Sequence, residues 1–424
     1  MGAHHPGARR AGVAQRLFAA KAARHAAANW PSLRVDAAAR CRQHARMRAL
    51  ALTAPRRLEL LDVPSAPLGP HDVRIRPAAV GVCGTDFHIW SGESNFHFDA
   101  HGRAIPLHEA PQVLGHEIAG TVVEVGKAVH DVRNGDRVVV DQGRNCRSER
   151  REPPCEFCAS GDSHQCLFYR EHGITGLPGG FADELVIPAV NTLAIAADVT
   201  FEQAALTEPL GCVLHCVARG EQAHTRYRFG GRGESAVRTA VVLGAGPAGL
   251  LFVQVLRSEL AFDGVVLVAE PSPHKQALAT RLGAIAVPPN ELAAAVQQHS
   301  GGRGAEYLVE ATGAGHVFTG IPALLRKQGT VLLYGVGHGD APLSLLNPLQ
   351  WRELALVTSV GASGGFDGDG RPSVYRRAQQ LLASGAVRTT GVLTHRYDGL
   401  HAVPRAFDGA HTRPDYVKGV AVLA

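Results

Sequence analysis

The chain has 424 residues, 45% of them apolar and 19% charged, with 48 glycines. That profile belongs to a globular protein long enough for two cores, and excludes a disordered or fibrous one. It holds no run of eighteen apolar residues, which excludes a helical membrane span. The formal charge of +5 is local: residues 1–46 carry eight Arg and one Lys against Asp36, leaving 34 basic and 37 acidic residues in the remainder. The body of the chain therefore makes no electrostatic case for a nucleic-acid partner.

Residues 1–46 are rich in Ala, Arg and His and lack the apolar core of a secretory signal. Their composition fits an organelle transit peptide or a translated leader. Met47, one of only two methionines, opens MRALALTAPRRLELLDVP, which reads as a first strand. Residues 1–46 are expected to be a disordered or spurious extension. From 47 to about 205 the runs DVRIRPAAVGV, IAGTVVEVG, GDRVVVD and FADELVIP are short, alternating and bounded by turn residues, which predicts a barrel-like antiparallel domain with long loops. From 206 to 365 the rhythm becomes strand and helix in alternation: TAVVLGAGPAGLLFVQVLRSEL, GVVLVAE, a helix near 274–282, AEYLVEATG, a helix around 316–327, and GTVLLYGVG. Such alternation predicts a parallel sheet covered on both faces. Residues 366–424 lose it, with a helix predicted at 374–384 and a last strand in KGVAVLA.

GAGPAG sets Gly244, Gly246 and Gly249 in a GxGxxG frame between strand and helix. The first glycine permits the tight turn, the second a close approach to a pyrophosphate, and the third close packing of helix on strand; the helix N-terminus faces the phosphates. Glu270, ending the next strand, suits both ribose hydroxyls and repels a 2′-phosphate, which favours NAD over NADP. Lys275 is a second candidate at the ribose. The same glycine pattern occurs in flavoproteins, so it does not by itself settle the cofactor.

Two groups of residues carry metal chemistry. GVCGTDFH (81–88), LGHEIAG (114–120) and LTEPLGC (206–212) contribute Cys83, His116 and Glu208. These are a thiolate, an imidazole and a carboxylate, the mixture found in catalytic zinc sites that keep one position open. Glu117 is a fourth ligand or a supporting acid. An open zinc binds an alcohol oxygen and lowers its pKa; Thr85 and His88 are placed in sequence to carry the proton away. The second group is the cluster Cys146, Cys155, Cys158 and Cys166, half of the chain's eight cysteines. Eight cysteines in so long a chain do not make a disulfide scaffold. A reducing cytoplasm with metal thiolates is the expectation, and the βαβ setting of a reactive CxxC pair is absent.

The fragments GVCGTD, LGHEIAG, CEFCASGDSHQC, TEPLG and VLGAGPAG, in order from Met47 to the end, resemble the zinc-dependent medium-chain alcohol and polyol dehydrogenases, in the branch containing sorbitol, threonine and glucose dehydrogenases. The resemblance implies an α/β chain in which a GroES-like β-barrel catalytic domain (47–205, with a structural zinc lobe at 143–168) is interrupted by an inserted Rossmann domain (206–365) and completed by 366–424. It matches Cys83, His116 and Glu208 to the catalytic zinc ligands, Glu117 to a variable fourth ligand, and Thr85 and His88 to the proton relay. Cys212 is a minor rival ligand. The four clustered cysteines match the family's structural zinc, although eight residues instead of two separate Cys146 from Cys155. Two other insertions depart from the pattern, one at about 91–111 with His97, His101, His108 and Glu109, and one at about 221–235.

The reading that follows is an NAD-dependent oxidoreductase acting on a secondary hydroxyl of a polyol, sugar or amino alcohol, holding catalytic and structural zinc. It is expected to be cytoplasmic and a homodimer or homotetramer, with a small-molecule alcohol substrate and neither nucleic acid nor membrane as partner. The alternatives are a flavin-dependent oxidoreductase and a zinc-ribbon protein that contacts nucleic acid.

Overall fold

The computed structural model describes residues 46–99, 101–339 and 341–423; the extension expected over 1–46 lies outside them except for Arg46. Short apolar runs between Gly, Pro and Asp form β1 (Arg46–Ala54), β2 (Arg57–Pro64), β3 (Asp72–Val82), β4 (Gln112–Val113), β5 (Glu117–Val125), β6 (Arg137–Val140), β7 (Gly143–Arg144), β8 (Arg170–Glu171), β9 (Leu185–Pro188) and β10 (Thr192–Ala194). The alternating segment then supplies β11 (Thr239–Leu243), β12 (Val265–Ala269), β13 (Ile285–Val287), β14 (Ala305–Glu310), β15 (Leu325–Leu333) and β16 (Ala355–Thr358). The chain ends with β17 (Leu393–Asp398) and β18 (Lys418–Val422).

β2, β1 and β4 form one sheet, and β10-β6-β5-β3-β18-β17 a second, with β9 also on β3. Leu50, Leu52, Ile75, Val80, Ile118, Val122, Phe181 and Phe407 fill the core of this unit. β3 is its central strand. It alternates in DVRIRP and is buried throughout AAVGV, the stretch where it pairs with both β5 and β18. Gly81 lies opposite Glu117 on β5, and Val82 opposite Gly419 on β18. Three sequence-distant strands thus bring Cys83, Glu117 and Lys418 to one end of the sheet.

The six strands β13-β12-β11-β14-β15-β16 are all parallel, in the 3-2-1-4-5-6 order of a doubly wound nucleotide-binding sheet. Alternate residues face opposite layers. Val241, Leu267, Leu308 and Val331 pack with Leu292, Val296 and Ile321. Val242, Val268, Tyr307 and Leu332 pack on the other face, with residues from the helices Thr207–Gln222, Pro247–Ser258 and Ser373–Ala383. The fold class is the one expected. The helix predicted around 316–327 is not formed as such: Gly315–Phe318 and Ile321–Leu324 are single turns, and β15 already begins at Leu325. Gly320 and Pro322 interrupt the run, and Gln328 at φ 62° lets β15 bulge against β14 between Leu325 and Thr330. Among the described residues no helix is long and apolar enough to cross a membrane.

Candidate active site and metal centres

Cys83 caps the helix α1 (Gly84–Ser91), and Gly92, at φ 84°, ends it. Asp86, in the first turn of α1, accepts the Cys83 amide at 2.9 Å and the Gly115 amide at 3.2 Å. It therefore fixes the loop that carries Cys83 to the loop that carries His116. Its Oδ1 also lies 3.4 Å from His116 Nδ1, an ion-pair distance with no direct hydrogen bond at that nitrogen, which leaves Nε2 available to a metal. Sequence reasoning missed this residue because an acid at that helical position reads as an ordinary cap.

The donor atoms of Cys83, His116 and Glu117 lie within 4.8 Å of one another. Glu117 Oε1 accepts Lys418 Nζ at 2.6 Å, and both side chains are fully buried. Its Oε2 is buried with no hydrogen-bond partner. A buried carboxylate oxygen left unpaired is costly, and a cation within reach removes that cost. Burial opposes charge on His116, yet Asp86 and Cys83 outweigh it and hold the imidazolium well above its ordinary range. Lys418 behaves alike: burial opposes its charge, and Glu117 and Cys83 restore it. Positive charge is favoured here, and sulfur, nitrogen and oxygen donors fit zinc.

Glu208 is not one of the three gathered groups. It opens α2 (Thr207–Gln222), is buried, and accepts Gln142 Nε2 at 3.0 Å and Cys212 Sγ at 3.2 Å. Burial raises its carboxyl pKa; His116 opposes the rise and Glu117 adds to it, so it borders the site. The expected trio of Cys83, His116 and Glu208 thus differs from the one the fold assembles. Glu117 is nearer because it follows His116 at the start of β5, whereas Glu208 is turned toward the Gln142 amide. Thr85 Oγ1 is 3.9 Å from Cys83 Sγ. His88 is exposed, with Nδ1 2.8 Å from Glu93 Oε2.

The cysteines of the lobe also come together: Cys146, Cys155, Cys158 and Cys166 place all four sulfurs within 4.8 Å. Cys146 and Cys166 are 3.7 Å apart, and Cys155 and Cys166 3.8 Å. Disulfide sulfurs are about 2.05 Å apart; thiolates at the corners of a tetrahedron around zinc, each about 2.3 Å from it, are about 3.8 Å apart. The long gap after Cys146 folds as a compact turn, in which Glu149 and Arg151 donate backbone hydrogen bonds to Asn145 and Cys146. Ser148 anchors it by donating to Asn191 at 2.7 Å.

At the other domain, Gly244 turns at φ 92° after β11, and α3 (Pro247–Ser258) starts from Gly246 with proline in its first turn. A Cβ on Gly249 would sit 2.0 Å from the Gly244 carbonyl, whereas one on Gly246 would meet nothing within 4 Å. The third glycine is therefore required by helix–strand contact, and the second borders open space at a helix N-terminus, the cradle a pyrophosphate needs. Glu270 Oε2 accepts the Ala245 amide at 2.8 Å and Oε1 the Ser272 amide at 3.0 Å. It braces the glycine turn and keeps further lone pairs on each oxygen. The Lys275 side chain is half-buried, with no hydrogen-bond partner among the described residues. Glu310, which sequence reasoning also missed, ends β14 and binds the turn after it through the Thr312 and Gly313 amides, with His338 Nε2 2.7 Å away. An acid closing a buried apolar strand was the available signal.

Residues 69–197 match the alcohol dehydrogenase GroES-like domain model, and residues 247–384 the zinc-binding dehydrogenase model. L-galactonate-5-dehydrogenase of Escherichia coli is 30% identical over 334 residues, covering 78% of this chain and 85% of its own. D-arabinitol dehydrogenase 1 of Uromyces fabae is 31% identical, with 83% and 91% covered. Among solved structures, a zinc-binding dehydrogenase of Sinorhizobium meliloti bound to NADP superposes with a TM-score of 0.69 at 26% identity, covering 89% of this chain and 99% of its own.

Proposed function

Because the chain belongs to the zinc-dependent medium-chain alcohol and polyol dehydrogenases, we propose that Cys83, His116 and Glu117 hold its catalytic zinc and that Glu208 stands beside it. The enzyme transfers hydride from an alcohol to a nicotinamide cofactor. Flavin and zinc-ribbon chemistry, the two alternatives left open by the sequence, do not fit this family. When bound, the metal polarises the alcohol oxygen and the nicotinamide ring accepts the hydride.

The protein's own groups do the rest. Asp86 orients His116, and Lys418 holds Glu117 in place. The Thr85 hydroxyl beside Cys83 takes the substrate proton, and His88 at the surface hands it to solvent. Gly244, Gly246 and Gly249 receive the cofactor pyrophosphate. The charge of Glu270 disfavours a 2′-phosphate, supporting NAD as the cofactor, and Lys275 is free to reach the ribose. The substrate class is a secondary alcohol of a polyol, sugar or amino alcohol. The four clustered cysteines hold a second, structural zinc. The barrel strands with residues 366–424 form the catalytic unit and 206–365 the cofactor unit.

One observation carries this reading: a thiol, an imidazole and a carboxylate meet within 4.8 Å, and that carboxylate keeps a buried oxygen with no hydrogen-bond partner. Metal analysis is expected to return about two zinc per chain. Replacing Cys83 with Ser should abolish NAD reduction with any polyol, by about three orders of magnitude or more, with an unchanged circular-dichroism spectrum. A fully active Cys83→Ser protein would sink the zinc mechanism. The assembly is proposed to be a homodimer or homotetramer, supported by a band of exposed apolar side chains between Leu343 and Val360.

A further inference from the structure

The two-stranded ribbon of β7 and β8 pairs Arg144 directly with Arg170. Directly opposed residues project to the same face, and like charges in that position destabilise a ribbon. Arg144 has a partner, Glu149, at 2.8 Å. Arg170 is partly buried; burial and Arg144 oppose its charge, and Glu149, beyond ion-pair distance and held by Arg144, is the carboxylate that favours it. Two imidazoles border it. His97, from the insertion at 91–111, has a buried Nδ1 without a partner. Burial first, then Arg170, push its pKa down to about 4. His172, two residues after Arg170, is 2% exposed and has an unpartnered Nε2; burial, Arg144 and Arg170 hold its pKa down to about 3. The Arg170 guanidinium and the His97 ring thus gather without a close partner, while His172 donates through Nδ1 to the Pro178 carbonyl at 2.8 Å and turns its Nε2 lone pair toward them.

The segment that continues from this ribbon packs on the catalytic centre. His172 donates its amide to the Gln142 carbonyl at 3.0 Å, and the Gln142 side chain holds Glu208. Gly173 packs so closely on the His116 loop that a Cβ there would lie 2.7 Å from the Gly115 carbonyl and 3.2 Å from the His116 amide. Gly176 packs likewise on the His97 ring.

We propose that Arg170, flanked by His97 and Arg144, binds the anionic end of the substrate, so that this enzyme oxidises a hydroxyl on a polyol bearing a carboxylate or a phosphate. A planar guanidinium with free N–H groups matches either anion bidentately. An anion gives Arg170 the close partner that Glu149, already held by Arg144, does not, and the neutral His97 ring can add a hydrogen bond without competing for it. The inference rests on the dehydrogenase reading above and names its substrate class.

The test uses the zinc-loaded full chain with NAD and matched panels of hexitols, the corresponding aldonates and the corresponding hexitol phosphates. At least one aldonate or phosphate should exceed its neutral counterpart about 100-fold in kcat/KM, and the two anionic arms tell carboxylate from phosphate. Arg170→Met keeps the apolar stem of the side chain and should lower kcat/KM for the anion about 100-fold, mostly through KM. Neutral hexitols should stay within about threefold, and Arg170→Lys should recover part of the loss. The melting temperature of Arg170→Met should hold or rise, since a partly buried cation opposite Arg144 is removed. Equal rates for neutral and anionic substrates, or equal loss of both in Arg170→Met, would overturn the proposal. If no alcohol of any charge is oxidised, the dehydrogenase reading falls. Calorimetric binding of an aldonate or phosphate that Arg170→Met abolishes would then still support the anion site, and binding indifferent to Arg170→Met would overturn it.

Discussion

Asp86 has three contacts, to two backbone amides and to His116, and its carboxylate charge matters only for the last. Asp86→Asn preserves size and keeps an oxygen for the backbone, but removes the charge that favours a ligand imidazole. Partners of this kind typically change metal affinity or activity by 10–100-fold. The expected outcome is a zinc dissociation constant raised about 10–100-fold, measured by chelator competition, with little change in the fold. Unchanged affinity would mean that Asp86 only caps α1. The remaining site residues divide by sequence distance. Cys83, His116 and Glu117, which the structure gathers within 4.8 Å, were legible as candidates because they sit on two short local fragments whose spacing is chemically constrained. Lys418 was not, because its partner lies 301 positions away and nothing in KGVAVLA distinguishes a buried lysine from a surface one. Glu208 was legible as a site residue, but whether it faces the metal depends on the Gln142 and Cys212 contacts, which no sequence pattern records.

The lobe at 143–168 illustrates the element scale. Four cysteines on a loop with little core of its own need a cross-link to stay in place. The other sulfurs alone cannot complete a tetrahedral site without Cys146, which the folded turn returns to them across eight intervening residues. The lobe also docks on the segment between β16 and the helix Ser373–Ala383: the His164 amide donates to Ser363 at 3.0 Å, and the Gly365 amide to Gly161 at 2.9 Å. Cys146→Ser is expected to reduce zinc from about two to about one per chain and to destabilise the protein by about 3 kcal/mol or more, as loss of a structural metal does. Metal analysis beside thermal melting checks both, and retention of two zinc would show that Cys146 is dispensable. At this scale the sequence is readable wherever periodicity is strong, as in β11, α3 and the helix Ser373–Ala383. It fails around 316–327, where the apolar spacing suits a helix but Gly320 and Pro322 allow only two turns before β15 claims the residues from Leu325.

At the scale of the whole molecule, the parallel sheet ends in an edge. Among the described residues β16 pairs with β15 on one side only, and its neighbourhood exposes Leu343 (83%), Trp351 (78%), Leu346 (53%), Val360 (49%) and Leu356 (42%). Isolated apolar side chains on a surface need no explanation, but five within eighteen residues next to an open strand edge form a patch of the kind that proteins cover. The chain carries no charged residue from Leu343 to Trp351 to blunt that edge. A second copy related by a two-fold axis would present the same edge and the same apolar side chains, making a self-complementary contact. Trp351 is the largest of the exposed groups, and tryptophan in such a contact typically costs at least about 2 kcal/mol on truncation, or roughly a 30-fold weaker association. A charge in its place adds the penalty of burying that charge. Trp351→Glu should therefore shift the assembly to monomers in sedimentation at micromolar concentration, while zinc content stays at about two per chain. Sedimentation of the unaltered protein as a monomer, or an assembly indifferent to Trp351→Glu, would place the subunit contact elsewhere or remove it.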